Sequence, residues 1–128
     1  MYDIFYSHHQ WKYNTPVETY ELGLIKKYFP KATVFNSSVD LKVPDSYTNE
    51  QIMNVCLETV RNSDILIFSS LDGSVGTGVY QEVKEAERVG KIVFYIFQNK
   101  LYSAYHLAMY EDDKRTDRLY ASVDVDLF

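Results

Sequence analysis

Two stretches of the chain concentrate the side chains that could do chemistry. The first, Tyr6-Ser7-His8-His9-Gln10-Trp11, sets rings and a hydroxyl in one run. The second is Ser69-Ser70-Leu71-Asp72-Gly73-Ser74-Val75-Gly76-Thr77-Gly78, and Glu82 follows it. Gly73, Gly76 and Gly78 let a backbone turn tightly and come close to a ligand. A helix opening there offers unpaired N–H groups and a partial positive charge, which suit a phosphate or a carboxylate. Asp72 and Glu82 add carboxyls beside that loop.

Ser7, Ser69 and Ser70 can bind phosphate or sugar hydroxyls, and the faces of Tyr6 and Trp11 can stack a nucleobase or cap its pocket. One of His8 and His9 can hydrogen-bond a base or a phosphate. As a zinc pair they are poor, because adjacent histidines on extended chain point apart and no carboxylate follows at ligand spacing. Each residue also has an ordinary explanation. Glu82 could be a first-turn acid facing the helix dipole, worth about 0.3–1 kcal/mol. Asp72 could close an Asx turn, Tyr6 could end a core strand, and His106 could lie on the surface. The mixed charges from Asp112 to Arg118 read as a solvated turn. The order D-G-S-V-G-T-G fits neither the dinucleotide fingerprint nor the Walker loop, which needs Lys after its last Gly. No cofactor and no metal is therefore expected.

The segment SDILIFSSLDGSVGTGVYQEVKEAERVGKIVFYI, from Ser63 to Ile96, resembles the nucleoside 2-deoxyribosyltransferase family, in which an apolar strand and a Gly-containing loop precede a helical Glu. Gly78-Val79-Tyr80-Gln81-Glu82 is similar to that family's Gly-Thr-x-x-Glu run. The opening IFYSHHQW and the strand end VFNSS, with Asn36, stand where the family sets its first two ligand loops, so the resemblance covers about the first hundred residues. It implies Glu82 as a nucleophile that attacks the anomeric carbon, expels the base and holds the sugar as an ester. It implies substrate contacts from Tyr6, Ser7, His8, Trp11, Asn36, Ser69, Ser70, Gly76, Thr77 and Gly78. It also implies a homodimer or larger homo-oligomer, with neighbours completing each pocket. One position departs: the family's Asp, six residues before the Glu, is Gly76 here, and Asp72 is the nearest substitute. Gly73-Ser74-Val75-Gly76-Thr77 more weakly resembles the phosphate loop of lysine-decarboxylase-like nucleotide phosphoribohydrolases, which cleave the same kind of bond.

These residues need elements to hold them. Tyr2 to Tyr6 reads as a strand. Thr15 caps a helix with Pro16 first and Glu18 completing a capping box; Val17, Tyr20, Leu24, Ile25 and Tyr28 recur at helical spacing, and Pro30 stops it. Ala32 to Asn36 is a second strand, and SSVDLKVPDSY has no clear period. Thr48 and Gln51 offer a capping box for a helix through Arg61, whose apolar face is Ile52, Val55, Cys56, Thr59 and Val60. Ile65–Phe68 and Ile92–Phe97 are apolar throughout, as in strands covered on both faces. Between them a helix spans about Val79 to Val89, ended by Gly90. Leu101 to Met109 suggests a short helix. Arg118 to Phe128 alternates as an edge strand, with Asp124 and Asp126 guarding the edge. The expectation is one α/β domain of 128 residues, flavodoxin-like (Rossmann-like), with a mostly parallel sheet of order 2-1-3-4-5 and helices on both faces. Its site would lie beyond the carboxyl ends of strands one and three.

Composition narrows the function classes. Thirteen basic against eighteen acidic residues leave a net charge of −5, which disfavours nucleic acid as a partner. A lone Cys56 rules out an internal disulfide. No apolar run reaches membrane-spanning length and the start lacks a signal peptide's pattern, so a cytoplasmic protein with no membrane partner is expected. Twelve Tyr, seven Phe and one Trp suit strand packing, ring-binding pockets or subunit contacts. The leading expectation is transfer or hydrolysis at the N-glycosidic bond of a deoxynucleoside or nucleotide. The alternatives are a module that holds a nucleotide or ADP-ribose-like ligand without turnover, and an interaction protein with a vestigial pocket.

Overall fold

A computed structural model describes residues 1–71, 74–103, 107–112 and 115–123, with side chains described for 1–71 and 75–103. In chain order the elements are β1 (Asp3–Ser7), α1 (Pro16–Tyr28), β2 (Thr33–Asn36), α2 (Ser37–Asp40), α3 (Asn49–Arg61), β3 (Ile65–Ser69) and β4 (Ser74–Gly76). They continue with α4 (Thr77–Arg88), β5 (Ile92–Phe97), β6 (Lys100–Ser103), β7 (Leu107–Asp112) and β8 (Arg115–Val123). No helix among the described residues is long and apolar enough to cross a membrane.

The molecule is α/β, with a five-stranded, mostly parallel sheet ordered β2-β1-β3-β5-β6. β1 pairs in parallel with β2 and β3, with Tyr6 beside Asn36 on one side and Ile67 on the other. β5 extends the parallel run beyond β3. The parallel part follows the expected order, but the fifth strand does not. β6 folds back antiparallel on β5 through Gln98 and Asn99, both in the left-handed region at φ 47° and 67°. Two successive positive φ values make the primed turn whose twist suits a two-residue hairpin. No Asn-Gly or Asp-Gly pair advertises it. A helix is expected over Leu101 to Met109, but residues 101–103 lie in β6 and residues 107–109 lie in β7.

The strand expected from Arg118 exists as β8, but it is central in a separate three-stranded sheet ordered β4-β8-β7. Alternation identifies a strand without saying how many neighbours it has. Residues 124–128, including Asp124 and Asp126, lie outside the described residues, as do Asp72, Gly73, His106, Asp113 and Lys114.

Strand alternation divides the core in two. Phe5, Leu66, Phe68, Val93 and Tyr95 face α3 and α4, meeting Cys56, Val60, Val79, Val83 and Ala86. Ile4, Tyr6, Ile65, Ile67 and Ile96 face α1 and meet Leu24 and Ile25. The inward face of α1 differs from the one its apolar spacing suggests. Val17, Tyr20 and Tyr28 are about half exposed, while Glu18 and Glu21 are buried. The first half of α1 lies over the polar ends of β1 and β3, so its inward positions carry carboxylates there and aliphatics only further on.

The helix starts follow capping chemistry. Thr48 and Gln51 form the full capping box of α3. Thr15 accepts from the Glu18 N–H, but the Glu18 side chain turns instead to the Asn14 N–H and to His8, leaving that box half made. Asn36 caps α2 by accepting from the Ser38 N–H. α4 opens at Thr77 with Gly76 as its cap residue. Glu82 therefore stands in the second turn, not the first.

Candidate functional site

At the carboxyl end of the sheet, alternation sends consecutive β1 side chains to opposite faces. Tyr6 turns toward α1 and Ser7 toward α4, and each meets a glutamate. On the α1 side the Tyr6 hydroxyl donates to Glu21 Oε1 at 2.5 Å and Ser69 donates to the same oxygen at 2.7 Å. Lys12 Nζ reaches Glu21 Oε2 at 3.1 Å, Ser69 Oγ at 2.9 Å and the Ser70 carbonyl at 2.7 Å. The ammonium thus has a partner for each of its three protons. Burial and the negative charge of Glu21 raise the Tyr6 pKa, keeping the phenol protonated. This is a closed, charge-balanced cluster that ties the loop after β1 to the end of β3.

Beside it, His8 stacks on Tyr6 with ring centroids 3.8 Å apart. Its Nε2 lies 2.7 Å from Glu18 Oε2, and its Nδ1 lies 3.3 Å from the Tyr6 carbonyl. Burial lowers the His8 pKa against the pull of Glu18. Burial opposes the charge on Glu18 too, but hydrogen bonds from His8, the Asn14 N–H and Ser38 hold its carboxyl below the ordinary range. A neutral His8 has one N–H to offer between two acceptors, Glu18 and the Tyr6 carbonyl.

On the α4 side the arrangement is open. A cavity of about 490 Å³ is lined by His8, His9, Gln10, Tyr13, Ser37, Leu41, Ile52, Met53, Cys56, Gly76, Thr77, Gly78, Val79 and Glu82. The Ser7 hydroxyl donates to Glu82 Oε1 at 2.7 Å. Burial pushes the Glu82 pKa from 4.5 up to about 7, against the opposing hydrogen bonds of Ser7 and Cys56. Burial and the nearby Glu82 push the Cys56 thiol up to about 11, so it stays protonated and able to donate. Leu41, Ile52, Met53 and Val79 supply an apolar wall, and the start of α4 forms the floor. A concave, largely apolar site with a few convergent polar groups and a shifted carboxyl is the ordinary form of a small-molecule pocket.

Of the residues expected at a site, Glu82, His8, Gly76, Thr77 and Gly78 line this cavity. Ser7 stands directly behind it, holding Glu82. Tyr6, Ser69 and Ser70 belong to the α1-side cluster; Ser70 Oγ lies 2.6 Å from the Tyr95 hydroxyl. Asn36 is buried as the α2 cap, and Trp11 is 75% exposed, its ring edge-on to His9. Asp72 lies outside the described residues. Lys12, Glu18 and Glu21 carry most of the site's charge yet stand out little in the sequence. The available signal is that Glu18, Glu21 and Ile25 share one helical face, so two carboxyls had to point where an aliphatic points. No family model matches the chain, and no curated protein matches it.

Proposed function

We propose that the protein transfers or hydrolyses the N-glycosidic bond of a deoxynucleoside or nucleotide, with Glu82 as the nucleophile. The observation that carries this reading is a buried carboxyl, held by Ser7 and Cys56, at the wall of a cavity of about 490 Å³. That volume falls within the usual range of small-ligand sites, about 300–1,000 Å³. Flavodoxin-like topology fits the same reading, since the pocket opens beyond β1 and β3, where strand order reverses. Ionised Glu82 attacks the anomeric carbon as the bond to the base breaks, and its electron pair leaves with the base. Water or a second base then attacks that carbon and frees the carboxylate.

Incubating the pure protein with deoxyinosine and with deoxynucleoside monophosphates, and following free base, tests the proposal. Release by the wild type that Glu82→Gln abolishes, with ligand binding retained, is the expected result. Tight binding without release overturns it in favour of a binding module. One observation favours that second reading: with a pKa of about 7, half of Glu82 is neutral at neutral pH and serves as a hydrogen-bond donor. A homo-oligomer accompanies the proposal, and α1 presents the half-exposed Val17, Tyr20 and Tyr28 that such an assembly would cover. Sedimentation of the purified chain reads its state.

A further inference from the structure

Glu82 is reached from a second direction besides Ser7. The Cys56 thiol, on α3, bonds the same carboxyl, and on its other side it meets the Ser37 hydroxyl. Ser37 in turn meets the Tyr13 hydroxyl. Tyr13, Ser37, Cys56 and Glu82 all line the cavity, so polar groups from four segments of chain run along its wall to the carboxyl. The middle of that row is fixed in place. Ser37 opens α2, where Asn36 accepts from the Ser38 N–H and Asp40 Oδ2 accepts from the Asn36 N–H.

Counting protons gives the row a direction. Ionised Glu82 can only accept, while the Tyr13 phenol, the Ser37 hydroxyl and the Cys56 thiol carry one proton each. Burial raises the pKa of both Tyr13 and Cys56 and so keeps them protonated. A thiol that gave its proton to Ser37 would turn its sulfur lone pairs on the carboxylate. The arrangement that favours the charge sends every proton one way: Tyr13 donates to Ser37, Ser37 to the Cys56 sulfur, and Cys56 to Glu82. Hydrogen bonds aligned in a chain polarise and strengthen one another. A thiol is a weak donor, and here its orientation depends on the hydroxyl behind it.

Resting on the glycosyl-transfer reading, we propose that Ser37 is a positioning residue for Glu82 and acts through Cys56, its proton holding the sulfur so that the S–H is given to the carboxylate. Ser7 holds Oε1 from β1. Cys56, backed by Ser37, steadies the carboxyl from α3 and keeps it ionised and in place for the sugar. The titratable groups that share the cavity with Glu82 are Cys56, on α3, and His8, His9 and Tyr13, in the stretch after β1. Replacing Ser37 leaves all of them present.

Carbon-13 NMR of the glutamate carboxyls, with Glu82 assigned by the signal missing from Glu82→Gln, reads its titration midpoint without any substrate. Ser37 is half-buried at the cavity wall, so Ser37→Ala leaves the core intact. It is expected to raise the Glu82 midpoint by about half to one pH unit, the effect of losing one ordinary hydrogen bond. Ser37→Thr, which keeps a hydroxyl, should restore most of the shift. In a Cys56→Ala background, Ser37→Ala should shift the midpoint no further, because the thiol that passes the effect on is gone. Base release from deoxyinosine should slow about three- to tenfold at pH 6 in Ser37→Ala and by less at pH 9. An unmoved midpoint in Ser37→Ala, shifts that add in the double variant, or equal losses of rate at both pH values overturn the assignment of Ser37. A wild-type protein that releases no base overturns the glycosyl-transfer reading instead, and the carboxyl titration still decides whether Ser37 acts on Glu82.

Discussion

Burying Glu82 with no cation beside it among the described residues makes the fold pay for its charge, and that cost can be measured as a function of pH. Its carboxyl titrates at about 7 in the folded protein against an ordinary 4.5. Between those values the folded state binds more protons than the unfolded one, so stability falls as pH rises. A rise of that size, at about 1.4 kcal/mol per tenfold, amounts to about 3 kcal/mol once the group is fully ionised. Glu82→Gln removes the titration and keeps an oxygen to accept the Ser7 hydroxyl. The variant's stability relative to wild type should therefore be nearly flat below about pH 4, rise most steeply between about 4.5 and 7, and level off about 3 kcal/mol higher. Urea denaturation of both proteins at pH 4, 5, 6, 7 and 8 gives that difference directly, and groups common to both cancel. A difference that stays constant across the series refutes the reasoning, because Glu82 would then titrate alike in both states. A difference of opposite sign refutes it more strongly, because the charge would be stabilised by folding. The same substitution is expected to abolish base release, so the most stable form of the site is an inactive one.

Three further outcomes follow from the geometry. On the proposed reaction, in which Glu82 attacks as a carboxylate, kcat/KM for deoxyinosine should fall tenfold per pH unit below about 7 and level above it, as a pH–rate series would read. Lys12→Met strands the buried Glu21 charge and should destabilise by about 3–5 kcal/mol, and adding Glu21→Gln should recover part of that loss in a denaturation double-mutant cycle. Gln98→Gly relieves a non-glycine residue at φ 47° in the β5–β6 turn and should raise stability by about 1 kcal/mol, seen as a higher urea midpoint at unchanged slope.

The sequence announces its parallel core because Ile65–Phe68 and Ile92–Phe97 are apolar on both faces, and its helix starts because Thr15 and Thr48 precede acids or amides at the right offset. Those signals are local. The hairpin after Phe97 is hidden because Gln and Asn occupy the positive-φ positions that glycine usually marks. α1 misleads for another reason: its exposed side carries Val17, Tyr20 and Tyr28, while its buried side carries Glu18 and Glu21. Hydropathy assigns the wrong face wherever the surface below a helix is itself polar. The polar surface here is made by Tyr6, His8, Lys12 and Ser69, which come from two separate stretches of chain and meet only in the fold.

The decisive contrast lies between the two glutamates that face the end of β1. Glu21 and Glu82 have similar low exposure, 6% and 8%, and each accepts a hydroxyl from the strand end. Glu21 also has the Lys12 ammonium against it, while no ion pair to Glu82 occurs among the described residues. A carboxylate buried with its counter-ion holds structure together at little net electrostatic cost; one buried without a cation, beside an open cavity, costs the fold stability. Structural packing alone gives no reason to keep an acid at that position, since a neutral side chain of the same shape would serve better. On the proposed function that cost has a use, because the charge acts on a ligand. On that reading Ser7 and Cys56 are the donors that hold the carboxyl in place for what enters the pocket.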